Sequence, residues 1–218
     1  MALALNLADI RKSYTQQELS EERIAANPLA QFESWLQEAL AAQAAEPTAM
    51  ILSTVSTAGK PAARVVLLKA LEEEQFVFFT NYESRKGHEL QESPFTALTF
   101  FWPELERQVR IEGQVEQVNS EKSDAYFQSR PRGSQVGAWG SPQSKVVENR
   151  QVLEKLTASY TQKFGEEAPI PRPPHWGGYA VKPIYIEFWQ GRPNRLHDRL
   201  VFQRETPGHN WRLERLAP

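Results

Sequence analysis

Four short stretches of this 218-residue chain concentrate groups able to bind anions. Arg64-Val-Val-Leu-Leu-Lys69 carries a cation at each end of a β-prone run. On a regular strand this five-residue separation turns the two side chains to opposite faces, ~17 Å apart, so they would serve two anions or need a bend. Ser84-Arg85-Lys86 stands at an expected helix start. A hydroxyl, two cations and unpaired backbone N–H groups there suit a phosphate, with a solvated helix start as the plainer reading. Ser129-Arg130-Pro131-Arg132-Gly133-Ser134 closes another expected helix, its arginines either complementing the helix dipole or forming a third anion site. The densest cluster is Arg195-Leu196-His197-Asp198-Arg199. Along an extended segment Arg195, His197 and Arg199 project to one face, which calls for an anion unless Asp198 and Glu187 neutralise them. Trp189, just upstream, offers a planar wall for a ring and favours the ligand reading.

Several other chemistries are excluded. The chain has no cysteine, which removes disulfides, thiolate metal sites and cysteine nucleophiles together. No G-x-G-x-x-G, G-x-x-x-x-G-K-[ST] or G-x-S-x-G occurs. His88, His175, His197 and His209 are scattered without metal-ligand spacing, so no metal site is expected. A net charge of −2 argues against a nucleic-acid binder, although 16 Arg against 9 Lys fits bidentate recognition of anionic ligands. No apolar run approaches the ~18 residues of a membrane span. Residues 1–10 hold no basic group ahead of their apolar stretch. A cytoplasmic protein is expected.

The elements that must position these clusters follow from periodicity. Residues 1–27 read as a mobile arm with a short helix near Arg11–Leu19, and residues 28–218 as one domain. Asn27-Pro28 caps a helix whose stripe Leu29, Phe32, Trp35, Leu36, Ala39 and Leu40 faces a core. Strands are expected at Met50–Ser56, Ala63–Leu68, Gln75–Thr80, Phe95–Trp102, Gln108–Val118, Tyr179–Gln190, Leu200–Arg204 and Trp211–Leu216. In Gln108–Val118, Val109, Ile111, Gly113 and Val115 alternate with polar residues, giving one buried face. Helices are expected at Ser84–Glu92, Ser120–Ser129 and Lys145–Phe164, with Pro169–Pro174 an extended connector. Strands in neighbourhoods with inserted helices indicate a mostly antiparallel sheet or barrel with packed helices, not a doubly wound parallel sheet.

Ile186-Glu187-Phe188-Trp189-Gln190 followed by Arg195-Leu196-His197-Asp198-Arg199 resembles the signature of the pyridoxamine 5′-phosphate oxidase family. Arg64–Lys69, Ser84-Arg85-Lys86, Glu106-Arg107-Gln108-Val109, Tyr126-Phe127, Ser129-Arg130-Pro131-Arg132, Gly137-Ala138-Trp139 and Gln143-Ser144 are similar to family segments, in the same order, so the resemblance runs from about Arg11 to Pro218.

The resemblance implies a split β-barrel homodimer that binds FMN at the subunit interface. Arg64, Lys86 and Ser144 would hold the FMN phosphate, with Arg85 close by. Val65, Val66, Leu67, Leu68, Lys69, Phe79, Thr80, Gln108, Gln143, Trp189 and Arg199 would line the rest of the flavin. Lys69, Tyr126, Arg130 and Ser134 would bind the phosphate of pyridoxamine or pyridoxine 5′-phosphate. Arg195, Leu196 and His197 would meet its ring and reacting substituent, with Arg195 and His197 the catalytic pair. Arg11 and Tyr14 would belong to an arm closing over the site. One strand would then serve two phosphates, which resolves the spacing of Arg64 and Lys69. The implied reaction oxidises the substrate's 4′ carbon to the aldehyde and reduces O2 to H2O2, with His197 either a base or a positioner. Two positions depart from the family pattern: Phe79 where Tyr is frequent and Glu46 where Asp is frequent.

Overall fold

A computed structural model describes residues 13–218. In chain order the elements are α1 (Pro28–Ala41), β1 (Ala49–Val55), β2 (Pro61–Leu67), β3 (Ala70–Glu72), β4 (Gln75–Asn81), α2 (Arg85–Glu92), β5 (Phe95–Trp102), β6 (Arg107–Gln117), α3 (Ser120–Ser129), α4 (Arg132–Gly140), α5 (Arg150–Phe164), β7 (Trp176–Gln190), β8 (Asp198–Gln203) and β9 (Arg212–Arg215). A single 3₁₀ turn, Pro193–Arg195, separates β7 from β8. The chain groups into two compact units, and β5, β6 and β7 run through both.

The unit formed by residues 48–98 and 112–184 carries the sheet order β2-β1-β5-β6-β7-β4-β3. β1 and β2 pair antiparallel, with Leu52 opposite Arg64 and Ile51 opposite Val65. β2 is the edge strand and none of its residues is fully buried, which leaves its side chains available to a ligand. β4 pairs antiparallel with β7, Phe79 facing Gly178 and Thr80 facing Gly177. Helices α2 to α5 belong to this unit, and Phe127, Val136, Ile170 and Trp176 form a small core beneath α3 and α4.

The other unit contains residues up to 47, 99–111 and 185–218. Its helix α1 starts as its sequence dictates: the Asn27 side chain accepts from the N–H groups of Leu29 and Ala30, and Pro28 needs no donor partner. α1 buries Phe32 edge-on to Phe100 and Trp35 edge-on to Phe188. β7 pairs with β8, placing Trp189 opposite Arg199, and β9 completes the sheet.

β6 buries Val109, Ile111, Gly113 and Val115 in alternation, as its pattern requires. A Cβ on Gly113 would lie 2.2 Å from the Lys182 carbonyl, so only glycine lets β7 approach there.

Four local expectations are corrected. Residues 13–19 of the expected Arg11–Leu19 helix are not helical. The N–H groups of Thr15 and Gln16 go to the Glu106 carboxylate and that of Leu19 to Asp198, so distant carboxylates take donors a helix would have used. The helix expected from Lys145 begins at Arg150, because the Asn149 side chain caps the Val152 N–H. α4 was not expected, since Gly133, Gly137 and Gly140 weaken its helix propensity. Gln135 tethers it by donating to the carbonyls of Phe127 and Gln128. Finally, Arg195, His197 and Arg199 do not share one face of an extended segment. Asn194 and Arg195 turn through φ of 56° and 62° inside the 3₁₀ turn before β8 begins.

Candidate active site

On edge strand β2, the Arg64 guanidinium donates to the Leu52 carbonyl (3.2 Å), to Thr54 Oγ1 (2.5 Å) and to Glu89 Oε2 (3.2 Å). Arg85, one helical turn before Glu89, donates to Glu89 Oε1 at 2.8 Å. Glu89 is buried, which pushes its pKa up, but hydrogen bonds from Thr54 and Arg85 and the charges of both arginines outweigh this and hold it below its ordinary value.

Lys86 has a different set of partners. Its ammonium donates to Gln143 Oε1 (2.8 Å), Thr80 Oγ1 (3.1 Å) and Ser84 Oγ (3.3 Å), all neutral. Burial, and then the Arg64 charge, lower its pKa to about 8. Two guanidinium groups therefore share one carboxylate while the Lys86 ammonium beside them has neutral acceptors, and the arrangement calls for an added anion. The first turn of α2 reaches this position because residue 87 is glycine: a Cβ there would lie 2.0 Å from the Tyr82 carbonyl.

Beside this cluster lies an aromatic floor. Phe79 stacks on Tyr126 with centroids 3.9 Å apart and planes at 18°, and on Trp176 at 5.6 Å and 12°. This parallel stacking gives Phe79 a packing role that needs no hydroxyl. Arg130, just past the end of α3, lies 4.6 Å above the Trp176 ring. Its Nη1 is buried without a hydrogen-bond partner. Burial lowers the Arg130 pKa and raises that of Tyr126. The guanidinium and Ser134 line a pocket of about 230 Å³ together with Asn81, Gly137, Gln143 and Trp176. Gln143 thus touches both the Lys86 cluster and the Arg130 pocket.

The two readings of the 129–134 cluster divide between its arginines. Arg132 donates to the carbonyls of Phe164, Gly165 and Ala168 and so caps the end of α5. Arg130 caps nothing with its side chain and faces the pocket.

In the other unit, the Trp189 and His197 rings are 4.6 Å apart. Tyr14 sits edge-on to both, at 5.8 and 5.7 Å. The backbone N–H of Arg192 donates to His197 Nδ1 at 3.0 Å. Burial, and then the Arg195 charge, lower the His197 pKa, partly opposed by Asp198. Arg199 is engaged: Nε donates to Glu187 Oε1 at 2.8 Å and Nη1 to the Ala217 carbonyl. Burial pushes the Glu187 pKa up, but hydrogen bonds from Arg199 and Tyr185 and the charges of Arg199 and Arg110 hold it below its ordinary value.

The structure thus gathers Arg64, Thr80, Arg85, Lys86 and Gln143 into one cluster, and Phe79, Tyr126, Arg130 and Ser134 around a second. Tyr14, Trp189 and His197 form a third. Val65 and Lys69 are exposed, Val66 and Leu67 half-buried, and Leu68 buried. Lys69 follows the end of β2, with its N–H bound to the Val77 carbonyl. Ser144 is exposed with a φ of 70°, Gln108 lies half-buried on β6, and Arg195 and Leu196 are exposed on the 193–196 turn. Arg11 lies outside the described residues. Sequence reasoning missed Glu89, Asn81, Trp176 and Arg192. Only Glu89 left a signal, its i,i+4 spacing from Arg85.

The antiparallel sheet with its packed helices has the architecture of the split-barrel class, as solved structures that share it show. PhzG from Burkholderia lata 383, solved with tetrahydrophenazine-1-carboxylic acid, shares the fold at a TM-score of 0.86 and 28% identity, over 95% of this chain and 100% of its own. A pyridoxamine 5′-phosphate oxidase-related, FMN-binding protein from Nostoc punctiforme shares it at a TM-score of 0.68 and 19% identity, over 93% and 100% of the chains. Residues 36–164 match the family model described as pyridoxamine 5′-phosphate oxidase, and residues 176–218 the one described as pyridoxine 5′-phosphate oxidase C-terminal dimerisation region. The chain belongs to the pyridoxamine 5′-phosphate oxidase family. The pyridoxine/pyridoxamine 5′-phosphate oxidase of a Cyanothece species is 54% identical over 99% of this chain and 100% of its own, and that of a Synechocystis species 56% identical over 98% and 99%. Among the described residues, no helix is long and apolar enough to cross a membrane.

Proposed function

We propose that this chain is an FMN-dependent oxidase. It converts pyridoxine 5′-phosphate and O2 to pyridoxal 5′-phosphate and H2O2, and pyridoxamine 5′-phosphate, O2 and water to the same products plus ammonia. The observation that carries the reading is the pair of separate anion sites joined through Gln143. One has two guanidinium groups on a single carboxylate with the Lys86 ammonium beside them; the other has a half-buried arginine whose buried Nη1 is unpartnered, above aromatic rings. A flavin mononucleotide fills one with its phosphate, and a phosphorylated pyridine fills the other.

Bound FMN supplies the hydride acceptor. Arg64, Arg85, Lys86 and Ser144 hold its phosphate, while Val65, Val66, Leu67, Leu68, Thr80, Gln108, Gln143, Trp189 and Arg199 line its remainder. Lys69, Tyr126, Arg130 and Ser134 clamp the substrate phosphate, which fixes the distance and angle of the 4′ carbon. Arg195 and His197 contact the pyridine ring. Residues 1–27, with Arg11 and Tyr14, act as an arm over the site, and residues 28–218 work as one flavin-binding domain. The protein operates in the cytoplasm as a homodimer with shared sites, supported by the match of residues 176–218 to a dimerisation region.

The test is optical. The purified protein reconstituted with FMN is expected to be yellow, to bleach with pyridoxine 5′-phosphate under anaerobic conditions, and to release peroxide when air is admitted. A protein that takes up flavin but is not bleached by either B6 phosphate would be a split-barrel flavoprotein of another specificity.

The Lys86 pKa predicts a pH dependence for cofactor binding. A phosphate dianion favours the charged ammonium, which is fully present in the free protein below pH about 8 and is lost above it. FMN affinity is therefore flat between about pH 7, where its phosphate is already the dianion, and about pH 8, and weakens by up to about tenfold per pH unit above that. Lys86→Arg removes the dependence, because guanidinium stays charged. Flavin-fluorescence quenching titrations check this; a flat wild-type profile to about pH 10 excludes Lys86 as a phosphate ligand.

A further inference from the structure

We propose that His197 serves the reaction as an uncharged hydrogen-bond donor through Nε2–H and does not accept the proton that leaves the substrate. This rests on the oxidase reading and decides between the two roles open to an imidazole at this position.

The argument begins with the Arg192 backbone N–H, which lies 3.0 Å from His197 Nδ1. A peptide N–H is only a donor and cannot rotate, so Nδ1 must present its lone pair. The neutral ring then carries its proton on Nε2. Adding a second proton would place N–H against N–H at Nδ1 and forfeit the bond. The free ring edge therefore offers a donor, and its conversion to an acceptor would require the opposite tautomer.

The surrounding turn locks this arrangement. The Leu196 N–H closes on the Pro193 carbonyl at 3.1 Å, which folds Arg192 back over His197. The Arg192 guanidinium is held by Glu18 at 2.8 Å and Asp198 at 3.7 Å. Trp189 and Tyr14 confine the imidazole. The charged and titratable groups facing it are Tyr14, Arg192, Arg195 and Asp198. Asp198, the one carboxylate among them, accepts from the Leu19 N–H at 3.1 Å and from Arg215 at 2.9 Å and pairs with Arg192, so it is committed elsewhere. Among the described residues no carboxylate accepts from His197 Nδ1, the arrangement that makes a histidine a base.

The chemistry balances without His197 as acceptor. The 4′ carbon would give its hydride to the flavin, the 4′ hydroxyl or amino group would lose a proton to water, and the C–O or C–N bond would become double. The Nε2–H holds a ring oxygen or the 4′ heteroatom while this occurs.

The tautomer is readable in the substrate-free chain by long-range proton–nitrogen correlation of nitrogen-15-labelled protein. The His197 pattern is assigned by its loss in His197→Gln. We expect a protonated Nε2 and a bare Nδ1 that persist from about pH 8.5 down to about pH 6.5, the ordinary imidazole value. An Nδ1–H tautomer, or conversion to imidazolium above about pH 6.5, overturns the proposal.

Kinetics provide the second arm. His197→Gln places an amide donor near Nε2 and is expected to lose less than about tenfold in kcat/KM, against a loss of about 10- to 150-fold in His197→Leu. Equal large losses in both variants, together with disappearance of a wild-type pH limb, would make His197 a base. Wild-type protein that turns over neither B6 phosphate overturns the oxidase reading and the substrate half of this proposal; the nitrogen spectra still decide the tautomer.

Discussion

Arg130→Ala is expected to raise KM for pyridoxine 5′-phosphate by about 10- to 150-fold and to leave kcat nearly unchanged. The range follows from the loss of one charge-assisted hydrogen bond to a bound anion, about 1.5–3 kcal/mol, at tenfold per 1.4 kcal/mol. Because the phosphate is remote from the reacting carbon, its contact contributes equally to ground and transition states, which is the signature of a KM effect. The structure adds a second, independent expectation. Arg130 Nη1 has no hydrogen-bond partner in the free protein, so truncation relieves a buried orphan while giving up the contact 4.6 Å above Trp176. The two changes oppose each other, and unfolding stability should move by no more than about 1 kcal/mol. Steady-state kinetics with urea denaturation on the same preparation check both. A collapse of kcat at constant KM, or a protein that no longer folds, would remove Arg130 from the substrate-phosphate site.

Arg195→Ala is expected to lower kcat/KM by about 100-fold, the upper part of the same range, since ring placement governs the transition state. Its larger consequence appears when it is combined with Arg130→Ala. The two arginines belong to different compact units of the chain. In the shared-site homodimer proposed above, one chain supplies Arg130 and its partner supplies Arg195 to each site. Mixing the two variant chains, unfolding and refolding them together gives dimers of which half are mixed. Each mixed dimer holds one doubly altered site and one intact site, so activity recovers to about a quarter of wild type. Either variant alone stays at about a tenth of wild type or less at low substrate concentration, by the fold-changes already given. If one chain supplied both residues, every site would keep one lesion and no recovery would occur. Refolded wild-type protein provides the reference.

What the sequence determines here is local. The Asn27-Pro28 start of α1, the alternation along β6 and the ends of β5 and α3 are legible because caps and periodicity act within a few residues. The cation clusters were legible as composition beside strand and helix ends, and the long resemblance at 186–199 named the family. The tertiary structure decided which of those cations are spent. It ties Arg64 and Arg85 to one Glu89, leaves Lys86 among neutral acceptors, gives Arg132 to the end of α5 and leaves Arg130 unpartnered. It also takes Arg199 for Glu187 and folds the 193–196 turn so that a backbone N–H meets His197. The short helix expected near Arg11–Leu19 fails over residues 13–19 for the same reason, since the N–H groups of Thr15, Gln16 and Leu19 go to Glu106 and Asp198, 90 or more residues away. Partners at such separations are selected by sheet register and packing, which no window of neighbouring residues encodes.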